Sequence, residues 1–145
     1  MHEWALAEAV VEATASALET RNPACLRSVT VSVGELQAID HEIFTFALNT
    51  LREQRPFRQA VYRLETEPAR LRCGACGTEW GLSETAGLDS ESREAIHFLP
   101  EAAHAFVRCP RCASPDFQVT AGRGVRIISI TVDASGSCAE GPASP

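Results

Sequence analysis

Two segments of the chain carry apolar residues at helical spacing. Positions three and four apart share one face of a helix, so each segment predicts an amphipathic helix. The first covers residues 4 to 20 and is ended by Asn22-Pro23; its apolar stripe consists of Trp4, Leu6, Ala7, Val10, Val11, Thr14, Ala17 and Leu18. The second follows Asp40, a good N-cap residue, and ends before Pro56. Its predicted buried face consists of Ile43, Phe44, Ala47, Leu48 and Leu51.

Alternating apolar positions predict three strands. Valines alternate from residue 28 to Gly34, and apolar residues alternate again from Ala60 to Leu64, after the second helix. Residues 125–132 are β-branched and apolar, and we expect this segment to return to the first sheet. The elements therefore follow one another as α-β-α-β, then an inserted region, then a closing strand. This order predicts an α+β fold with two helices and a three-stranded sheet.

Two CxxC motifs lie in the inserted region, Cys73-Gly-Ala-Cys76 and Cys109-Pro-Arg-Cys112. Each CxxC turn places two thiolates on one side of an ion, and two turns complete the tetrahedral shell of a structural zinc. Four thiolates leave no position for water, so the predicted zinc is not catalytic. We interpret residues 69–122 as an inserted zinc-ribbon-like domain. Two disulfides, unrelated buried cysteines and a redox CxxC pair are the alternatives.

The charge pattern narrows the classes of function. The chain has 13 basic residues, all of them Arg, against 19 acidic ones, and a formal net charge of −6. Nucleic-acid binding needs clustered positive charge, which this chain does not show. Without Lys, neither a P-loop nor Schiff-base chemistry is available. No apolar run approaches the roughly 20 residues of a membrane span and no secretory signal is visible, so we expect a cytoplasmic protein with reduced thiols.

The remaining histidines and cysteines carry weaker signals. A 32-residue spacer separates Cys76 from Cys109; its middle, residues 82 to 95, is rich in Ser, Glu and Gly and predicts an exposed excursion. Within the spacer, His104 is interpreted as packed or partly exposed, and His97 as a candidate further ligand of a second metal. His41 is interpreted as a surface residue of the second helix. Two cysteines have no partner at metal spacing: Cys25 is interpreted as core or loop, and Cys138 as incidental.

The first residues, Met1-His2-Glu3, offer a different set of ligands. A terminal amine, a deprotonated backbone amide and the His2 imidazole can lie in one plane, the arrangement of nitrogen donors that Ni(II) and Cu(II) prefer. A helix beginning near Trp4 leaves its first N–H groups outside the helical hydrogen-bond ladder, so the amides of His2 and Glu3 can serve as ligands. On position alone, an incidental His2 is the simpler interpretation, and Glu3 is favourable charge at a helix N-terminus.

The whole pattern resembles the HypA family, nickel metallochaperones of [NiFe]-hydrogenase maturation. The resemblance covers residues 1 to 133 and is carried by Met1-His2-Glu3-Trp4, the strand and turn from Val29 to Leu36, both CxxC motifs, and the closing segment from Gly122 to Val132. The spacer is longer than in compact bacterial members. It resembles that of archaeal members with extended zinc domains.

The resemblance implies two metal sites and two domains. Nickel would be held by His2 with Met1 and the backbone of Glu3, and zinc by Cys73, Cys76, Cys109 and Cys112. The nickel-binding domain would comprise residues 1–68 plus 123–133, the zinc domain residues 69–122, and a disordered tail residues 134–145.

The family also implies partners: a nickel-insertion GTPase of the HypB type, the [NiFe]-hydrogenase large-subunit precursor and, for some members, urease maturation proteins. We expect neither nucleic acid nor membrane as a partner. The sequence thus predicts a carrier, not an enzyme, that binds Ni(II) at its N-terminus and delivers it to the hydrogenase precursor. The alternative is a zinc-ribbon adaptor that binds proteins and has no nickel role.

Overall fold

The computed structural model describes residues 2–85, 89–98, 103–135 and 138. Contacts between residues divide the chain into two units. The first contains Met1–Ser32, Ile39–Glu65 and Val125–Pro145, and the second contains Val33–Ala38 and Thr66–Gly124. The short segment Val33–Ala38 thus belongs with the cysteine-bearing unit.

Two helices, α1 (His2–Ala17) and α2 (His41–Arg52), pack against each other in the first unit. As predicted, Asp40 is the N-cap of α2: its Oδ1 accepts hydrogen bonds from the amides of Glu42 and Ile43, at 3.0 and 3.1 Å. This cap satisfies two of the donors that the first turn of a helix leaves without an intrahelical acceptor.

The buried faces of both helices are narrower than predicted. Trp4 is 38% exposed, Ile43 is 45% exposed, and Ala17 is also exposed. Trp4 lies at the rim of the helix pair and meets Phe46 edge to face, with ring centroids 6.0 Å apart. Periodicity identifies the apolar stripe, but the width that becomes buried depends on how much of it the neighbouring helix covers. The residues of the predicted stripes that are buried are Ala7, Val10, Val11, Thr14, Leu18, Phe44, Ala47 and Leu48.

The first sheet confirms the predicted strand pattern. It contains β1 (Leu26–Gly34), β2 (Val61–Glu67) and β6 (Val125–Val132), in the order β2-β1-β6. The amide of Asp133 donates to the carbonyl of Cys25, and that of Gly34 to the carbonyl of Gly124, both at 2.8 Å. Since the start of β1 meets the end of β6, these strands are antiparallel. The closing strand therefore returns to the first sheet, as expected.

The second sheet is built from the short strands around the cysteines. It contains β3 (Arg70–Cys73), β4 (Glu79–Gly81) and β5 (Phe117–Ala121), in the order β4-β3-β5 with both pairs antiparallel. Leu71 is opposite Trp80 and Cys73 is opposite Phe117. The core of this unit is Leu36, Ala69, Leu71, Cys73, Trp80, Leu82, Ile96, Ala103, Val107, Cys109 and Phe117.

The spacer between the CxxC motifs is more ordered than the predicted exposed excursion. After a 3-10 turn at Leu82–Glu84, it forms α3 (Ser90–Phe98) and then α4 (Ala103–Phe106). Both Leu82 and Ile96 are buried in the second core. The Asp89 carboxylate accepts from the amide of Ser92 at 2.7 Å and stabilises the first turn of α3. The helix is anchored by single apolar residues among polar ones. The polar composition of residues 82 to 95 therefore did not predict it.

No helix in the described part of the chain is long and apolar enough to cross a membrane. Of the predicted disordered tail, only Ala134, Ser135 and Cys138 are among the described residues, and the rest of that prediction lies outside them.

Candidate metal sites

The first CxxC motif forms a tight knuckle between β3 and β4. The carbonyl of Cys73 accepts from the amide of Gly77 at 3.0 Å, and the amide of Cys73 donates to the carbonyl of Thr78 at 2.8 Å. Gly77 has a positive φ of 76°, the left-handed conformation that glycine adopts readily. This turn points the amides of Ala75 and Cys76 at the Cys73 sulfur, 3.3 and 3.4 Å away.

The second CxxC motif repeats this geometry before β5. The carbonyl of Cys109 accepts from the amide of Ala113 at 2.8 Å, and the amide of Cys109 donates to the carbonyl of Ser114 at 3.0 Å. Ala113 occupies the position equivalent to Gly77 and also has a positive φ, 62°. The amide of Arg111 lies 3.4 Å from the Cys109 sulfur. Backbone amides thus approach one sulfur of each knuckle.

The two knuckles bring all four predicted sulfurs together. The sulfurs lie within 4.8 Å of one another, with 3.5 Å between those of Cys73 and Cys112 and 3.6 Å between those of Cys76 and Cys109. Thiolates bound tetrahedrally at about 2.3 Å from zinc lie about 3.8 Å apart. Cys73 and Cys109 are buried, whereas Cys76 and Cys112 are exposed. The donor set and spacing fit a structural zinc ion, and no other group of three or more such ligands occurs in the described residues.

The thiols of the metal-free cluster differ in acidity. Hydrogen bonds from the Thr78 side chain and backbone lower the pKa of Cys76 to about 6. For Cys112, a hydrogen bond from the Ser114 amide lowers the pKa. The Cys73 sulfur, burial and the other two sulfurs outweigh this effect and together raise the pKa to about 12. Binding of a dication by the four sulfurs would require each thiol to lose its proton.

The second candidate site is the predicted nickel site at the N-terminus. There α1 begins at His2, two residues earlier than predicted. His2 is half-buried, and Glu3 is buried with its Oε1 accepting from the Asp40 amide at 3.3 Å. A hydrogen bond from the terminal amino group, together with its own amide and that of Asp40, lowers the pKa of Glu3 to about 2. The Glu3 carboxylate thus remains ionised at neutral pH and links the start of α1 to the cap of α2. Met1 is not among the described residues.

Of the remaining histidines, the structure describes the side chains of His41 and His104. His41 is the exposed first residue of α2, as predicted. His104 is also exposed; its Nδ1 lies 3.0 Å from the Pro115 carbonyl and its ring stacks on Phe117, with centroids 4.3 Å apart. His97 belongs to α3, and its side chain is outside the described ones.

One pair of cysteines departs in part from the sequence interpretation. Cys25 is buried in a 3-10 turn, which agrees with its interpretation as core or loop. Cys138, interpreted as incidental, is joined to it by a disulfide across 113 positions of sequence, with their Cα atoms 5.1 Å apart. The pairing of β1 with β6 is the physical reason, because it brings the segment after β6 back to the turn that precedes β1. The even cysteine count was the one available signal: four thiols account for zinc and two remain.

Comparison with known proteins gives one family. The family model described as "Hydrogenase/urease nickel incorporation, metallochaperone, hypA" matches residues 1–132. The hydrogenase maturation factor HypA of Pyrococcus horikoshii is 44% identical over 137 residues, which cover 94% of this chain and 99% of the relative. That of Pyrococcus abyssi is 42% identical, with 92% of this chain and 96% of the relative covered.

Solved structures show the same fold at lower identity. The solution structure of the Ni metallochaperone HypA from Helicobacter pylori superposes with a TM-score of 0.59 at 21% identity, covering 91% of this chain and 97% of that one. A second solution structure of a HypA protein gives a TM-score of 0.62 at 21% identity, covering 92% and 98%. These similarities confirm the predicted α+β class with an inserted two-knuckle zinc ribbon.

Proposed function

Because the chain belongs to the HypA family of nickel metallochaperones, we propose that it binds Ni(II) at its N-terminus and delivers the ion to the large-subunit precursor of a [NiFe]-hydrogenase. The family and the archaeal relatives confirm the resemblance read from the sequence, and a metallochaperone is a carrier rather than an enzyme. Nickel is the cargo, and zinc is the resident metal of the four-cysteine cluster.

The observation that carries this proposal is the position of His2 in the first turn of α1. The first amides of a helix do not enter its hydrogen-bond ladder, and here they follow directly on the terminal amine. The proposed ligands are that amine of Met1, the His2 imidazole and the backbone amides of His2 and Glu3. Such a set of nitrogen donors favours square-planar Ni(II).

The proposed nitrogen ligands suit a carrier that can also release its ion. A protonated terminal amine and a backbone amide must each lose a proton before the nitrogen can coordinate Ni(II), so metal binding competes with protons. We therefore expect nickel affinity to fall steeply as the pH decreases, and a pH-independent affinity would contradict this set of ligands.

Delivery requires a partner that supplies energy or a better site. The chain contains no Lys, so it cannot form a P-loop, and we propose that a nickel-insertion GTPase of the HypB type acts with it. The proposed acceptor is the hydrogenase precursor, and urease maturation proteins are a second class of acceptor.

A transfer experiment tests delivery. Tagless protein loaded with zinc and radioactive nickel is mixed with the hydrogenase precursor and the GTPase, with and without GTP, and the nickel on the precursor is counted. We expect transfer from the wild type, at least a tenfold loss in His2→Ala, and no loss in the matched control His41→Ala, which changes an exposed helix-terminal histidine. Normal transfer by His2→Ala would contradict the assigned nickel ligands, and no transfer by the wild type would favour the adaptor alternative.

The proposed role of His97 is tested with the same material. If His97 adds a ligand, His97→Ala should change the nickel spectrum or affinity, with or without the GTPase. An unchanged spectrum and affinity would remove it from the site. His104→Ala is the matched control, because this exposed histidine belongs to the same unit and already contacts the Pro115 carbonyl.

A further inference from the structure

The disulfide between Cys25 and Cys138 lies in the first unit, whereas the four metal-binding thiols lie in the second. We propose that this disulfide is a reversible thiol–disulfide exchange site, in which Cys138 is the sulfur that small thiols attack and carry. The proposal is independent of nickel binding, because none of the residues that it uses is a proposed ligand of either metal.

The two sulfurs have unequal access. Cys25 is only 4% exposed, ends the 3-10 turn Pro23–Cys25, and offers its carbonyl to the amide of Asp133 at 2.8 Å. Cys138 is half-buried and lines an open polar cavity of about 350 Å³ together with Ser135, Asp133 and Arg27. A small thiol can therefore enter beside Cys138, whereas the sulfur of Cys25 is shielded by protein.

Unequal access sets the direction of exchange. A thiolate attacks the Cys138 sulfur, the Cys25–Cys138 bond breaks, and Cys25 leaves as a thiolate that takes up a proton. A mixed disulfide now links the small thiol to Cys138. A second small thiolate attacks the small-molecule sulfur of that link, which releases a small-molecule disulfide and the Cys138 thiolate. The sum is one protein disulfide plus two thiols giving two protein thiols plus one small-molecule disulfide, and the reverse reaction re-forms the bond.

Reduction would leave Cys138 with few contacts. Without the covalent bond, the described contacts of Cys138 are a hydrogen bond from Asn22 Nδ2 to its carbonyl at 3.0 Å and a contact of its sulfur with Ser135 Oγ at 3.7 Å. Both are exposed, and exposed polar contacts stabilise little. The contacts at the end of β6 do not depend on the disulfide. The amide of Asp133 still donates to the Cys25 carbonyl, and its carboxylate still pairs with Arg27 at 2.7 Å. Among the described residues, the change is thus confined to Cys138.

The test uses the intact zinc-loaded protein in glutathione buffers of stepped reduced-to-oxidised ratio. Each sample is quenched with an alkylating reagent under native conditions, and every cysteine is followed by peptide mass spectrometry. We expect the disulfide to open at intermediate ratios, with Cys138 alkylated readily and the shielded Cys25 more slowly, and at least tenfold more glutathione on Cys138 than on Cys25. The four zinc thiols should stay unlabelled while one zinc per chain is retained.

Three outcomes would overturn the proposal: a disulfide that no ratio reduces, thiols that stay free in the most oxidising buffer, or glutathione mainly on Cys25. Two variants give a second reading. In Cys25→Ser the mixed disulfide on Cys138 should accumulate to a higher level at oxidising ratios, since no second protein thiol can displace the glutathione, whereas Cys138→Ser should leave a shielded Cys25 with at least tenfold slower labelling. Equal labelling of the two single cysteines, in variants with unchanged zinc content and circular dichroism, would contradict the assigned direction of exchange.

Discussion

At the scale of single residues, the two zinc knuckles provide an internal comparison. Gly77 and Ala113 occupy equivalent positions, both with positive φ, yet only one of them is glycine. A Cβ added at Gly77 would meet no atom within 4 Å, so substitution there changes conformational preference without a clash.

We expect Gly77→Ala to lower the free energy of unfolding by about 1 to 2 kcal/mol, because an L-residue pays that much in the left-handed region. The reciprocal change, Ala113→Gly, should raise it by up to about 1 kcal/mol, since it relieves the same cost but adds freedom to the unfolded chain. Denaturant unfolding of the zinc-loaded protein measures both. Effects of the same sign in the two variants would show that the knuckles are not conformationally equivalent.

A second residue, Tyr62, controls stability at alkaline pH. Its buried hydroxyl donates to Thr14 Oγ1 at 2.9 Å, and Thr14 in turn donates to the Val10 carbonyl at 2.8 Å. Burial raises the pKa of Tyr62 above its ordinary value of 10.0, against the opposing hydrogen bond of Thr14. The folded state thus favours the neutral phenol, and this contribution is complete below pH 10 and is lost as the pH rises above it.

Tyr62→Phe should cost about 1 kcal/mol at neutral pH for the lost hydrogen bond. It should also flatten the decline in stability above pH 10. The chain has one Tyr and no Lys, so few other groups titrate in this range. Unfolding free energies measured from pH 8 to 11.5 test the expectation, and an equally steep alkaline decline in Tyr62→Phe would refute it.

At the scale of elements, the turn between β5 and β6 depends on a close approach of backbones. Gly122 has a φ of 91°, its amide donates to Glu67 Oε1 at 2.7 Å, and its carbonyl accepts from Leu36 at 3.0 Å. A Cβ at this position would overlap the backbone of Ala69. Gly124, two residues later, has a similar φ of 75° but open space around it.

These two glycines form a matched pair for substitution. Gly124→Ala should cost about 1 to 2 kcal/mol for its conformation alone. Gly122→Ala should cost about 3 kcal/mol or more, because the steric overlap adds to the same conformational cost. Thermal or denaturant unfolding compares them, and equal losses would mean that Ala69 moves aside without penalty.

Local patterns predicted most elements of the fold. The β1 and β6 strands, the Asp40 cap and both knuckles depend on residues close in sequence, so periodicity and spacing were sufficient to identify them. The helix α3 was missed because Ile96 anchors a segment that is otherwise polar. The Cys25–Cys138 bond was missed because it joins residues 113 positions apart, which only the pairing of β1 with β6 brings together. Trp4 and Ile43 were wrongly predicted to be buried. An apolar stripe in the sequence does not show how much of that helix face the neighbouring helix covers.

At the scale of the whole molecule, the two units depend on different interactions. The second unit has a small core around Trp80 and two knuckles whose thiols converge. Structural zinc sites contribute about 10 to 16 kcal/mol of binding free energy to folding. The first unit contains the helix pair and the Cys25–Cys138 disulfide, and none of the cysteines of the cluster.

Removal of zinc should therefore unfold the second unit and leave the first folded. The chain has two tryptophans, Trp80 fully buried in the second unit and Trp4 in the first, so a Trp4→Phe variant reports on Trp80 alone. We expect its emission to shift to the red when a chelator removes zinc, while part of the helical circular dichroism persists. An unshifted emission after complete loss of zinc would show that the core folds without the metal.

A nickel titration shows whether the chain holds nickel through its first residues. Calorimetry and absorption spectroscopy would be applied to tagless, zinc-loaded protein, to His2→Ala, and to His41→Ala as the matched control. We expect one tightly bound nickel with a square-planar spectrum, lost in His2→Ala and kept in His41→Ala, with zinc content unchanged throughout. No stoichiometric nickel, or binding that is indifferent to His2, would contradict it.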